Sequence, residues 1–226
     1  MTDASPIFTK TSAYSLLGVA FHGLVGYFGA KAFLPKNARW QDRFTFIWLA
    51  FDALIHFTFE GSFLWLSVFG RQVNTSTGPF ADLWREYAAA DFRWGVSDPT
   101  VVSLEILTVL GAGPLCCYIL KQLASDDPAR HYWLIVLSTA ELYGGWMTFC
   151  PEWLTGSPNL NTSNALHLWV YLVPTDALTN TSSPPQFMNV IWVVIPLWLM
   201  FDSYTHIAGA LRAQQKLVKA KGAKSS

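Results

Sequence analysis

Residues 44–70, FTFIWLAFDALIHFTFEGSFLWLSVFG, run apolar for longer than the roughly 20 residues a helix needs to cross a bilayer, yet carry Asp52, His56 and Glu60. These three follow one another at i, i+4 and i+8, so they share one side of a helix. An ionisable side chain inside a membrane helix is expensive, and by default it marks a functional face turned toward a protein interior. A chain built around this stretch therefore folds as a bundle, with its other helices walling in that face.

The remaining sequence agrees. Of 226 residues, 52% are hydrophobic and 13% charged, where a soluble domain carries about 25% charged residues. The formal net charge is zero, which offers nothing to a nucleic acid. Cys116, Cys117 and Cys150 form no disulfide framework and read as small buried hydrophobes. The first ten residues lack a basic segment ahead of an apolar one, so no cleaved leader is expected and the first membrane helix does the targeting.

Five apolar stretches predict five membrane helices, at about Ser12–Leu34, Phe44–Gly70, Thr100–Leu123, His131–Cys150 and Phe187–Leu211. Pro114 and Pro196 fall inside two of them and are expected to kink those helices. The predicted fold class is all-α: a polytopic five-transmembrane-helix bundle with an intramembrane cavity. It divides into a lumenal N-terminus (1–11), a membrane domain (12–211) and a basic, solvated cytosolic tail (212–226).

Eleven of the 15 Lys and Arg residues fall on one side of this arrangement: between helices one and two, between three and four, and after five. Lys10, Arg71, Arg85 and Arg93 fall on the other. The positive-inside rule puts the rich side in the cytosol, with the N-terminus lumenal and the C-terminus cytosolic. Three Asn-Thr-Ser sequons, at Asn74, Asn161 and Asn180, all lie on the side assigned to the lumen. The loop Arg71–Pro99 contains ADLWREYAAADFRW, a short helix against the membrane face. It reads either as a lid over the site or as a belt of interfacial aromatic residues.

The candidate catalytic set is His56 and Glu60 from helix two, Glu105 and Thr108 from helix three, and Asn189 and Trp192 from helix five. Helix four adds Glu141 and Tyr143, with Tyr143 and Trp192 as substrate-binding residues. A His–Glu pair passes protons when its surroundings tune it. A Trp face attracts a developing cation, and Thr and Asn orient the acids. A bundle-holding pair of Glu105 with His22 is the bland alternative for Glu105. Asp52, Glu141, Asp202 and His206 lie nearer helix ends by these boundaries and read as structural or interfacial. No metal and no cofactor are expected. Five His residues and no HExxH are too few for a membrane di-iron centre, and there is neither a Gly-rich phosphate loop nor a nucleophile elbow.

Several short runs, in order, carry a resemblance. They are IHFTFEG at Ile55–Gly61, LWREYAAAD at Leu83–Asp91, LEILT at Leu104–Thr108 with GPL at Gly113–Leu115, LYG at Leu142–Gly144, and FMNVIW at Phe187–Trp192. From about Phe44 to Asp202 the chain resembles the emopamil-binding protein family of sterol Δ8–Δ7 isomerases. The resemblance implies a five-helix bundle in the endoplasmic reticulum membrane, a sterol site within the bilayer, and isomerisation without a cofactor. Carried over by motif position, it implies the same six residues: His56, Glu60, Glu105, Thr108, Asn189 and Trp192. Two departures stand out. Gly145 occupies a position where the family has Asp, and PTDALTNTSSPPQ at Pro174–Gln186 is inserted ahead of the last helix.

The expected partners are a sterol or another lipophilic polycyclic substrate, cationic amine inhibitors and membrane lipid, with no nucleic acid; a homodimer stays open. The expected reaction protonates the ring alkene and then removes a proton, through a carbocation. Two alternatives are a related acid-initiated isomerase or cyclase acting on a terpenoid alkene or epoxide, and a non-catalytic sterol- or amine-binding membrane protein.

Overall fold

The computed structural model describes residues 9–161 and 187–223, with only the backbone described for 187–189. Among these residues the chain is helical, apart from one isolated antiparallel pairing of Asp91 with Leu160. Five long helices run in chain order. They are α1 (Lys10–Phe33), α2 (Trp40–Ser67), α4 (Pro99–Ala124), α5 (Arg130–Leu154) and α6 (Phe187–Gly222), with the shorter α3 (Pro79–Ala88) between α2 and α4. Four are long and apolar enough to cross a bilayer: α1, α2, α4 and, over Val190–Gly222, α6. At 25 residues α5 spans about 37 Å at 1.5 Å per residue, and it packs along α6 and against α4. The chain is a polytopic helical membrane protein.

Each helix starts where the sequence supplies a stop or a cap. Thr9 and Ser12 form a reciprocal capping box at the head of α1, and both hydroxyls also donate to Glu86 of α3. Asp98 accepts from the backbone of Thr100 and Val101, and Pro99 occupies the first position of α4. The boundaries differ from expectation in three places. Helix α2 begins at Trp40, four residues before the apolar run. Helix α5 continues through Pro151 to Leu154. Helix α6 continues through the basic segment to Gly222, because Ala, Gln, Leu and Lys are good helix formers and nothing before Gly222 stops them. The solvated tail is therefore, as far as it is described, the outer end of a helix.

Two features were not anticipated. Both α2 and α4 contain one turn wider than α-helical, at His56–Glu60 and at Thr108–Ala112. Each is closed by a glycine N–H that donates to the carbonyl five residues back: Gly61 to His56, and Gly113 to Thr108. Such π turns are uncommon and concentrate at functional sites. In α4 the turn precedes Pro114, which has no N–H to give Leu110 and whose ring would collide with that carbonyl. The wide turn is how the expected proline kink is absorbed.

The central core joins Leu49, Ala53, Cys116, Ile119, Leu134, Leu137 and Leu199 from α2, α4, α5 and α6. Helix α1 lies on α2 through Gly26, where an added Cβ would sit 2.7 Å from the Ile47 carbonyl oxygen. A second core gathers Phe63, Trp84, Trp94 and Val101 where α2 ends beneath α3. Trp84 and Trp94 stack at 5.0 Å, and the Trp84 indole donates to Ser62 at 2.9 Å. These two rings pack inward and cap the end of α2, while Phe80 and Phe92 of the same segment stand half exposed. Buried Arg93 clamps the cap to α5, with its guanidinium 2.6 Å from Asp91 and 3.7 Å from Glu152. Burial pulls the Arg93 pKa down, but the hydrogen bond to Asp91 and the charges of Asp91, Glu152 and Asp98 together outweigh it, and the guanidinium stands above its ordinary value.

Candidate active site

The two wide turns face each other, and α4 comes close to α2 because Gly113 has no side chain. A Cβ there would meet the Phe57 ring at 2.9 Å and the His56 Cβ at 3.3 Å. This contact brings the polar groups of both turns into one place. His56 Nδ1 lies 2.5 Å from Glu60 Oε2. Glu60 in turn neighbours the buried carboxyl of Glu105. The Thr108 hydroxyl is 3.0 Å from Glu105 Oε2 and 3.1 Å from the Glu105 carbonyl. On its other side, His56 Nε2 is 3.3 Å from Asp52 Oδ2, close enough to pair but off line for a hydrogen bond. Asp52 Oδ1 accepts from the Trp192 indole at 3.2 Å, and the Cys116 thiol lies 3.5 Å from Oδ2.

The result is an unbroken run of polar groups, Trp192–Asp52–His56–Glu60–Glu105–Thr108, crossing from α6 through α2 to α4. Glu141 of α5 stands beside Asp52. Its two carboxyl oxygens are shut from solvent and meet no donor in hydrogen-bond geometry among the described residues. Four carboxyl groups thus surround a single imidazole, and no Lys or Arg among the described residues pairs with any of them. A cation about 4 Å from one carboxylate gains roughly 4 kcal/mol at an effective dielectric of 20. The arrangement holds protons and favours positive charge.

Of the residues expected from sequence, His56, Glu60, Glu105, Thr108 and Trp192 come together here. Tyr143 does not: it is 62% exposed and makes none of these contacts. Asn189 lies on the first turn of α6, three residues before Trp192, with its side chain outside the described residues. His22 approaches Thr58 at 3.4 Å, so the bundle-holding pairing with Glu105 is not made. Trp192 also has a contact that spacing did not suggest, since its N–H is spent on Asp52. Its ring meets Trp48 edge-on at 5.3 Å.

Asp52 and Glu141 correct the reading that set them near helix ends. With α2 starting at Trp40, Asp52 lies three turns inside and is fully buried. Glu141 is likewise eleven residues into α5. The signal for Asp52 was present in the sequence, as the first member of its i, i+4, i+8 stripe; the misplaced helix start hid its depth. Asp202 and His206 also correct that reading, since α6 runs on to Gly222 and leaves them near its middle, in a network with Arg39 and Asp42.

Two clusters bring potential metal ligands together: Asp52, His56 and Cys116, and His131, Asp202 and His206. In the first, Asp52 already receives the indole N–H and the thiol, which offer hydrogens rather than lone pairs. In the second, the two imidazoles stack face to face at 4.4 Å, and Arg39 lies 2.7 Å from His206 Nε2, where a metal would need the lone pair. Both are hydrogen-bond networks. A hollow of about 530 Å³ between Phe33, Phe46, Leu120 and Lys121 lies away from the site.

Comparison with known proteins agrees with the motifs. The chain is 29% identical to a 3-beta-hydroxysteroid-Delta(8),Delta(7)-isomerase of Cavia porcellus, over 97% of this chain and 89% of that protein. It is 29% identical to the protein of the same name from Rattus norvegicus, over 74% of this chain and 66% of the relative. An isomeliandiol synthase of Melia azedarach is 26% identical over 80% of this chain and 77% of its own length. Residues 79–203, more than half of the chain, match the family model described as EXPERA (EXPanded EBP superfamily). The chain belongs to this family.

Proposed function

We propose that the protein is a sterol Δ8–Δ7 isomerase, an enzyme that shifts a ring double bond by protonation and deprotonation through a carbocation. The observation that carries this reading is the run from Trp192 to Thr108 with Glu141 beside it: four carboxyl groups and one imidazole inside the helix bundle, with no Lys or Arg paired to them among the described residues. The similarity to the guinea pig and rat isomerases supplies the substrate class.

The chemistry follows from the arrangement. An alkene is a very weak base, so the barrier to protonating it is dominated by the charge left behind. A member of the His56–Glu60 pair delivers a proton to C9 of a Δ8-sterol, leaving positive charge at C8. Fixed carboxylates in a water-poor interior stabilise that charge, and the half-buried Trp192 ring adds cation–π attraction. Glu105, held by Thr108, stabilises the charge from α4. Loss of the C7 proton to the same His56–Glu60 side then gives the Δ7 alkene. Excluding water keeps the cation from being captured as an alcohol. An amine whose ammonium mimics the cation inhibits.

The proposed setting is the endoplasmic reticulum membrane, with five spans, the N-terminus in the lumen and the C-terminal end of α6 in the cytosol. The sequence asymmetry in Lys and Arg supports that orientation. Sealed microsomes check it: added protease clips a C-terminal tag if the orientation is right and spares it if it is reversed.

A second reading keeps the acid and the cation but feeds the site another terpenoid. Gly145, the insertion Pro174–Gln186 and the likeness to a Melia azedarach isomeliandiol synthase favour it. Expression in cells lacking sterol Δ8–Δ7 isomerase separates the two. The sterol reading requires restored Δ7 sterols; a well-expressed, correctly located protein that restores none overturns it.

A further inference from the structure

The reaction sketched above leaves Asp52 and Glu141 without a part, although both are buried beside His56. Asp52 is the better solvated of the two by the protein. It takes the Trp192 N–H on one oxygen and faces the Cys116 thiol and His56 Nε2 with the other. Glu141 has Asp52 as its neighbour and, among the described residues, no donor in hydrogen-bond geometry on either oxygen. Two carboxylates side by side in an apolar interior do not both stay ionised, and they titrate as a pair. The groups facing the pair are His56 and Glu60 from α2, Cys116 from α4 and Trp192 from α6. Only His56 among them is able to carry a positive charge.

We propose that Asp52 and Glu141 share one proton, carried on Glu141 and donated to Asp52, and that the Asp52 carboxylate so anchored fixes the tautomer and orientation of His56. The donors on Asp52 settle which partner is the anion. Glu141, which has none, becomes the neutral acid, and its O–H satisfies one of its orphaned oxygens. Asp52 then keeps the proton on Nε2 of His56 by charge attraction across the 3.3 Å contact, leaving Nδ1 directed at Glu60, 2.5 Å away. Asp52 and Glu141 are positioning residues, since neither contacts His56 from the Glu60 side where the proton is exchanged. A carboxylate that orients a catalytic imidazole is worth a great deal even though it never gains the proton itself.

The role of this pair in turnover rests on the isomerase reading, but its existence does not, so the test begins without substrate. The full-length protein in lipid nanodiscs gives an infrared carbonyl band from a protonated carboxylic acid. With nitrogen-15 histidine, the His56 signal shows Nε2 protonated. Glu141→Gln removes one component of that carbonyl absorption, a component that Glu105→Gln leaves in place. Asp52→Asn changes the His56 nitrogen signature, and among the variants that fold it lowers kcat on the order of a hundredfold or more while KM holds within a few fold. A carbonyl absorption that loses no component in Glu141→Gln, or a His56 signature unchanged in Asp52→Asn, overturns the proposal. If both signatures behave as stated while no sterol is turned over, the pair stands and the isomerase reading falls.

Discussion

His56 Nδ1 and Glu60 Oε2 stand 2.5 Å apart across one wide turn of α2, closed by the Gly61 N–H on the His56 carbonyl. The contact is local, but its setting is not. The facing turn in α4 begins at Thr108, whose hydroxyl reaches back to Glu105 just before it, and the two turns meet because Gly113 presents no side chain to Phe57 and His56. The same backbone irregularity thus appears twice, once at the proposed proton-transfer pair and once beside the carboxyl group proposed to stabilise the charge.

If Glu60 and Glu105 act on the proton and on the charge, replacing either with Gln removes activity and not the fold. The expected loss in kcat is about a hundredfold or more, the usual scale for a group engaged in proton transfer. Thermal melting of the purified variants in detergent should stay close to the parent. Variants that retain turnover within a few fold would return the protein to the binding-module reading.

A side chain at residue 113 should act on catalysis before stability. In Gly113→Val the added atoms press first on the Phe57 ring, which is partly exposed and free to swing, and then on His56. The expected result is a modest fall in melting temperature with a much larger fall in kcat. Equal losses in both would mean that the approach of α4 to His56 is only a packing feature.

Gly26 is the contrasting case, because the obstacle there is backbone. An alanine Cβ would lie 2.7 Å from the Ile47 carbonyl oxygen, which cannot rotate away, so α1 must move off α2. Gly26→Ala is expected to cost about 1–3 kcal/mol, the range for overpacked interiors. Denaturation in mixed micelles measures it.

The cap depends on Arg93, buried between Asp91 and Glu152. Removing one partner of a buried ion pair leaves the others uncompensated, at about 3–5 kcal/mol. Arg93→Ala should lower the melting temperature and expose residues 79–95 to limited proteolysis. Unchanged protection of that segment would count against the clamp.

Much of this was legible in the sequence, and for a physical reason. Helical spacing alone set Asp52, His56 and Glu60 on one stripe, and the apolar runs located the long helices. What spacing could not register is a change of pitch. The wide turn in α4 is foreshadowed by Gly113–Pro114, since a proline removes the hydrogen bond that an α-turn needs, yet nothing comparable precedes the turn at His56. Depth was also misjudged, because hydrophobicity marks where α2 becomes apolar at Phe44 and not where it starts at Trp40. That error took Asp52 out of the site, although it contacts His56, Trp192 and Cys116 together. The reach of α6 through Lys216 and Lys219 was missed for a related reason: charge was taken as the end of a helix that composition allows to continue.

The account turns on proton delivery to a ring alkene, and isotope incorporation tests it most directly. Purified protein in nanodiscs, equilibrated in heavy water, is given a Δ8-sterol, and the product is examined by mass spectrometry and deuterium NMR. The account predicts a Δ7-sterol carrying one deuterium at C9, absent when Glu60→Gln replaces the parent. A Δ7 product with no deuterium, or no Δ7 product from an active, folded preparation, would contradict it.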